Sequence, residues 1–155
     1  SLSSKKKIRL ILAGQVDQSV LANLLEKSIQ VEVQELGTIS RKKALQLALN
    51  ANLLLLPLNQ AENSKGRLPG KIYEYLRTYN PILALGPTDS DAHYILKQCS
   101  AGACYEYNDL ASIKSYIQNI ISSDPKVFQS NRKEILKYSN KNQTRNLSKW
   151  LDQLI

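Results

Sequence analysis

The sequence contains a single histidine, His93, and only two cysteines, Cys99 and Cys104. A zinc site draws about four nitrogen or sulfur ligands from a recurring spacing. Here neither a second thiol pair nor a histidine cluster accompanies two cysteines separated by four residues, one of them Gly102. The thiols therefore read as buried or idle, and no metal is expected. The lone histidine, in the first turns of an expected helix, reads as a packing or exposed side chain rather than a catalytic one. Apolar runs are short as well. None exceeds four residues, Leu53 to Leu56 being one, far below the roughly 18 that span a bilayer. No charged-then-apolar leader with a small-residue cleavage site is present either, so the expectation is a soluble, cytoplasmic protein. The absence of a G-x-G-x-x-G after the first apolar run disfavours a dehydrogenase. Ala13-Gly14-Gln15 stands where a receiver-type signalling domain would need acidic residues.

What is present points to one globular domain. At 155 residues, 43% of them hydrophobic and 22% charged, the chain can bury one substantial core. Ser1 to Ser4 read as a linker remnant. The formal net charge is +8. Its excess lies in Lys5-Lys6-Lys7-Ile8-Arg9 and between Lys126 and Lys149, without the interleaved aromatics of a nucleic-acid surface. No nucleic-acid partner is expected; a nucleotide diphosphate or an anionic membrane face would both suit such a charge.

Strands and helices alternate in the pattern. Ile8 to Ala13 is an aliphatic run stopped by Gly14. A helix capped by Ser19 follows, with Val20, Leu21, Leu24 and Leu25 at helical spacing. Val31 to Leu36 alternates apolar and polar with period two, as a half-buried strand does. Ser40 is positioned to cap a helix running through Asn50. Leu53 to Leu56 shows no alternation, so it is expected to be the most buried strand, covered on both faces. Pro69 suits a first helical position, and that helix should run to about Tyr79. Pro81 to Leu85 reads as a fourth strand, followed by a helix capped by Asp89 or Asp91. Ala103 to Tyr107 suggests a fifth strand. Asp109 begins a helix through about Ser122, and two more helices are expected near Lys126–Lys137 and Asn142–Leu154. This order implies βαβ units and an α/β, Rossmann-like parallel sheet of about five strands with helices on both faces. Ligands of such sheets bind outside the carboxyl ends of the strands.

One segment at such an end carries chemistry. Lys65-Gly-Arg-Leu-Pro-Gly-Lys71 joins three cations to two glycines just ahead of a helix start, which suits an anion. The glycines let backbone approach a ligand, and Arg67, Lys65 or Lys71 can meet phosphate oxygens. Glu74 lies three residues after Lys71, on the same helix face, where a carboxylate suits ribose hydroxyls.

The stretch Lys65-Gly-Arg-Leu-Pro-Gly-Lys-Ile-Tyr-Glu-Tyr-Leu76 resembles the donor-site core of group 1, GT-B-fold glycosyltransferases, as do Pro81-Ile-Leu-Ala-Leu-Gly-Pro87 and Asp89-Ser-Asp-Ala92. Gly14, Leu36-Gly-Thr-Ile-Ser40 and Tyr138-Ser-Asn-Lys-Asn-Gln-Thr144 fall in the family's order, so the likeness covers nearly the whole chain. It implies the C-terminal half of a two-domain enzyme that transfers a sugar from a nucleotide diphosphate sugar to an acceptor hydroxyl. Glu74 would bind the donor ribose. Lys71 with Arg67 or Lys65, and Gly14, would face the diphosphate. Backbone at Ile39 would meet the base, and Asp89 and Ser90 would line the phosphate and sugar end. The acceptor domain would precede this chain, and the fragment by itself would not turn over. Peripheral membrane contact of the full-length enzyme fits the basic surface. Departures from the family pattern are Gly66, where many members carry a second glutamate, and Tyr79, where they carry glycine; tyrosine there predicts a helix exit without a left-handed residue. The stripe Leu147, Trp150, Leu151 and Leu154 on the last helix would pack either in this domain's core or against the missing half, an exposed Trp150 marking the second. Two other readings use the same sheet: half of a sugar-nucleotide epimerase, and a non-catalytic nucleotide-binding or assembly module.

Overall fold

In the computed structural model, which describes residues 7–27, 31–59, 66–124 and 127–153, strands and helices alternate along the chain. The chain divides into two compact units, Ser1–Leu47 and Ala48–Ile155. Among the described residues all strand pairing is parallel. The fold is α/β and Rossmann-like, with its five described strands in two sheets, of two and three strands, instead of one.

The first unit contains β1 (Ile8–Leu12), α1 (Gln18–Lys27), β2 (Val31–Glu35) and most of α2 (Arg41–Asn50). β1 and β2 pair from Ile8↔Val31 to Leu12↔Glu35. Neither strand has a fully buried residue. The start of α1 is held by Asp17 and not by Ser19: the Asp17 carboxylate accepts the Ser19 amide at 2.8 Å and also its hydroxyl. Those bonds favour the ionised form and hold the carboxyl below its ordinary range. Ser40 does cap α2, its hydroxyl accepting from the Lys43 amide at 3.3 Å.

The second unit contains β3 (Leu54–Pro57), α3 (Lys71–Leu76), β4 (Ile82–Leu85), α4 (Asp91–Gln98), β5 (Gly102–Tyr105), α5 (Leu110–Ser122), α6 (Arg132–Lys137) and α7 (Asn140–Asp152). The sheet order is β3-β4-β5, in the register Leu54↔Ile82 and Ile82↔Gly102. Because side chains alternate across a strand, Leu54, Leu56, Ile82, Ala84 and Cys104 share one face. They pack there with Ile72 and Leu76 of α3, Ala92, Ile95 and Leu96 of α4, and Ile135 of α6. Burying each large aliphatic side chain contributes about 1.5–3 kcal/mol.

The most buried strand is β4, not the Leu53–Leu56 run. β3 alternates, its Leu55 being 38% exposed while Leu54 and Leu56 are buried. Among the described pairings β3 is an edge strand, whereas β4 has a neighbour on each side and buries Ile82, Leu83 and Ala84. Four leucines in a row show that a strand is apolar; its place in the sheet decides which faces are covered.

Caps account for most of the helix boundaries. Asp109 accepts from the Ser112 amide at 3.1 Å, and α5 ends at Ser122 as its sequence suggests. α4 is capped by the buried hydroxyl of Ser90, which accepts from the His93 amide, and not by Asp89 or Asp91. Asn131 and Ser139 cap α6 and α7, so α6 begins later, and α7 earlier, than the sequence suggests.

Tyr79 adopts φ 61°, against the expected right-handed exit. Its amide donates to the Leu76 carbonyl at 3.2 Å, closing the turn after α3. The left-handed conformation costs about 1 kcal/mol, and the ring offsets it. The phenol ring packs on the core cluster, and the Arg132 guanidinium lies 4.6 Å from its centroid. Asn80, immediately after, donates from its side-chain amide to the carbonyls of Ala48 and Leu49 at 2.9 and 3.0 Å, fixing the turn. Tyr79→Gly is therefore expected to lower stability by about 1–2 kcal/mol, because lost ring burial outweighs relieved backbone strain. A urea melt in which Tyr79→Gly matches or exceeds the parent would contradict this balance.

Candidate functional site

In the second unit the carboxyl ends of β3, β4 and β5 lie at one edge of the sheet, since the strands are parallel and in register. The loop after β3 returns at Gly66 and leads through Arg67, Leu68, Pro69 and Gly70 into α3. Leu68 is half-buried against the core cluster, while Arg67 and Lys71 are exposed. Ile72 and Leu76, one turn apart, are buried and anchor the helix. That leaves Lys71 exposed and Glu74 half-buried, three residues apart on the flank of α3.

α3 is shorter than the expected Pro69-to-Tyr79 helix. It has six residues, Gly70 supplies no side-chain cap, and Pro69 and Gly70 serve as carbonyl acceptors for the amides of Ile72 and Tyr73. So few aligned peptides carry little of a helix macrodipole. Attraction for an anion here rests on the cationic side chains. Lys65 lies outside the described residues.

The β4–α4 loop forms the adjoining wall. A Cβ at Gly66 would have the Asp91 carboxylate as its neighbour, at 3.9 Å, so the two loops meet and the position has room for a side chain. Asp91, read from the sequence as a helix cap, is thus the carboxylate beside Gly66. Of the two residues expected at the sugar end, Asp89 is exposed, whereas Ser90 is buried, its amide donating to Pro87 and its hydroxyl capping α4. His93 packs edge-on against Tyr94, and its buried Nδ1 has no partner among the described residues.

Two residues just after β5 reach back to these loops. Tyr107 donates its hydroxyl to the Leu58 carbonyl at 2.6 Å, and the Glu106 carboxylate accepts from the Thr88 amide at 3.0 Å and hydroxyl at 3.3 Å. Burial raises the Tyr107 phenol above its ordinary value. Below them, the Cys104 thiol lies 3.7 and 3.6 Å from the carbonyls of Gly86 and Pro87. Burial pushes both thiols up to about 11, so Cys99 and Cys104 stay protonated at neutral pH. No spacing or composition marks Glu106 or Tyr107, because their partners lie 18 and 49 residues away.

In the first unit, Gly14 and Gly37 take φ 119° and 57° after β1 and β2, and the Gly14 amide donates to the Gly37 carbonyl at 2.8 Å. Ile39 is half-buried in the loop before α2. Among the described residues no cluster of three His, Cys, Asp or Glu side chains is placed to hold a metal ion. No described helix is long and apolar enough to cross a membrane.

No protein-family model matches the sequence, and no curated protein matches it. Among solved structures the chain is similar to AviGT4, a glycosyltransferase involved in avilamycin A biosynthesis, with a TM-score of 0.55 and 12% identity. The alignment covers 87% of this chain and 43% of AviGT4, so the chain spans less than half the length of that protein. At this identity the likeness concerns the fold.

Proposed function

We propose that the second unit presents the nucleotide-sugar-binding surface of a glycosyltransferase, of which this chain is the donor-binding, C-terminal half. The observation that carries the reading is the Arg67–Glu74 segment. Buried Ile72 and Leu76 hold it at the carboxyl end of a parallel strand, with two exposed cations and a carboxylate on its flank. A ribose hydroxyl donates to Glu74, and Arg67 and Lys71 meet the diphosphate, with Lys65 adding a third cation on the same loop. As the sugar–phosphate bond breaks, negative charge grows on the departing diphosphate, and these cations stabilise it more than they stabilise the intact donor. No step of this scheme calls for a metal. Asp89 contributes at the sugar end, with Asp91 as a neighbouring carboxylate. Gly14 and the backbone at Ile39 would serve the diphosphate and the base from their own sheet's carboxyl end.

The partner in this reading is an upstream acceptor domain, supported by the partial span against AviGT4 and by α7. Leu147, Trp150 and Leu151 lie on one side of α7 and all are exposed, Trp150 by 68%. These three residues therefore do not serve this unit's own core, and Leu154 lies outside the described residues. A 13-residue helix with no buried residue is marginal without a covering surface. The same reading makes the full-length enzyme cytoplasmic, with peripheral membrane contact through its basic segments, and leaves the fragment without turnover.

Titration with UDP, GDP and ADP tests this. Lys71→Ala and Glu74→Ala should each weaken the preferred nucleotide about tenfold, the magnitude of one charge-assisted hydrogen bond. Unchanged affinity in Glu74→Ala would remove the ribose role. Sugar transfer by the chain alone would contradict the need for a second domain.

A further inference from the structure

Loops at the carboxyl edge of a sheet are held by the ends of their own strands and otherwise move freely unless something crosses between them. Here the crossing groups are adjacent in sequence. β5 ends at Tyr105, and the next two residues each send a side chain to a different loop. Tyr107 passes over the end of β4 to the Leu58 carbonyl, the first residue after β3. Gly86, at the end of β4, has no side chain, and the Leu58 side chain fills the space that a Cβ there would take. Glu106 reaches Thr88, in the middle of the β4–α4 loop, and takes both its amide and its hydroxyl hydrogen. The strand ladders end just beneath, with the Leu58 amide donating to Leu85 at 2.8 Å and the Gly86 amide to Tyr105 at 2.9 Å.

We propose that Glu106 and Tyr107 are positioning residues for the nucleotide surface, a two-pronged tether that sets the β3–α3 and β4–α4 loops at a fixed separation. The inference rests on the donor-site reading above, because those two loops carry Arg67, Lys71, Asp89 and Asp91. Neither residue touches the ligand. Tyr107 fixes where the cationic loop leaves the sheet, and Glu106 holds Thr88 so that the Asp89–Asp91 wall faces that loop. Ordering both loops before the ligand arrives removes a cost that binding would otherwise carry.

The test uses Tyr107→Phe, Glu106→Ala and Glu106→Gln, the last retaining an oxygen that accepts from Thr88. Nucleotide affinity, melting temperature and exchange of the Thr88 amide are measured on each. Tyr107→Phe and Glu106→Ala should lose about three- to tenfold in affinity, about the net worth of one ordinary hydrogen bond, while remaining folded and still saturable. Glu106→Gln should return affinity to within about twofold of the parent, with Thr88 exchange slow as in the parent and fast in Glu106→Ala. A lowered melting temperature with parental affinity would make the pair merely structural and overturn the proposal. Unchanged Thr88 exchange in Glu106→Ala would overturn the tether itself. Absence of nucleotide binding in the parent would overturn the donor-site reading and the positioning role with it, whereas binding in the parent that the variants leave unchanged overturns the positioning role alone.

Discussion

Gly102→Ala is expected to prevent the second unit from folding stably, with a loss of at least about 4 kcal/mol against a total of about 5–15 kcal/mol for an ordinary domain. Gly102 opens β5 at φ 155°, a conformation that side chains rarely adopt. A Cβ there would overlap the carbonyl oxygen of Ile82 and stand 2.7 Å from its carbonyl carbon and 2.8 Å from its nitrogen. The colliding atoms are backbone, so no rotamer change relieves the clash. Ile82 cannot retreat either, being fully buried in the central strand, paired with Leu54 on one side and Gly102 on the other. Relief requires β5 to part from β4, which breaks the bond from the Ile82 amide to Ala101 and unpacks Ala101 and Cys104. Circular dichroism during a urea titration measures the outcome. A cooperative transition within about 1 kcal/mol of the parent would show the backbone to be more yielding than its packing implies.

Gly86→Ala is the second large effect, at about 2–4 kcal/mol. Its φ is 150°, and a Cβ would lie 2.7 Å from the Leu58 Cβ and 3.1 Å from Cδ1. The neighbour here is a side chain, but its Cβ rides on the backbone and cannot swing away. Leu58 is 6% exposed, its amide is bound to Leu85 and its carbonyl to Tyr107, so the residue is held from both sides. Truncating it removes the outer part of the clash, at Cγ and Cδ1, and keeps the Cβ. Leu58→Ala alone should cost about 2–4 kcal/mol through the cavity it leaves. In the double variant the two losses should fall short of additivity by about 1 kcal/mol or more, since the Cδ1 and Cγ contacts vanish. Strict additivity would assign the whole Gly86 effect to φ and to the Leu58 Cβ, which alanine retains. Nucleotide affinity should fall in Gly86→Ala as well, because the shifted Leu58 carbonyl pulls on Tyr107.

Local features were legible in the sequence wherever the physics is local. An aspartate three residues ahead of a helical amide marks a cap whatever surrounds it, and Asp109 fixed the start of α5 on that ground. Ser40 did the same for α2. Choosing among neighbouring candidates was harder. Asp17 prevails over Ser19, and Ser90 over Asp89 and Asp91, because capping depends on which oxygen the chain's entry angle aims at the free amides. The segment from Arg67 to Glu74 stood out by composition, and its place after β3 followed from the alternation of elements. What composition could not supply was the length of α3, which ends at Leu76 before a turn closed by Tyr79.

The sequence by itself determined the α/β order, the parallel pairing that alternation imposes, the starts of α2 and α5 and the cationic segment at a strand's end, all of which depend on residues within a turn or two of one another. The tertiary structure decided the rest. It made β4 and not β3 the buried strand, turned Tyr79 left-handed beneath the Arg132 guanidinium, left Trp150 in solvent, and left no room for a Cβ at Gly102 or Gly86. It also brought Glu106 and Tyr107 to loops 18 and 49 residues away. These outcomes depend on which surfaces meet once the strands are side by side, and a contact between distant segments leaves no periodicity or spacing in the chain from which it could be read.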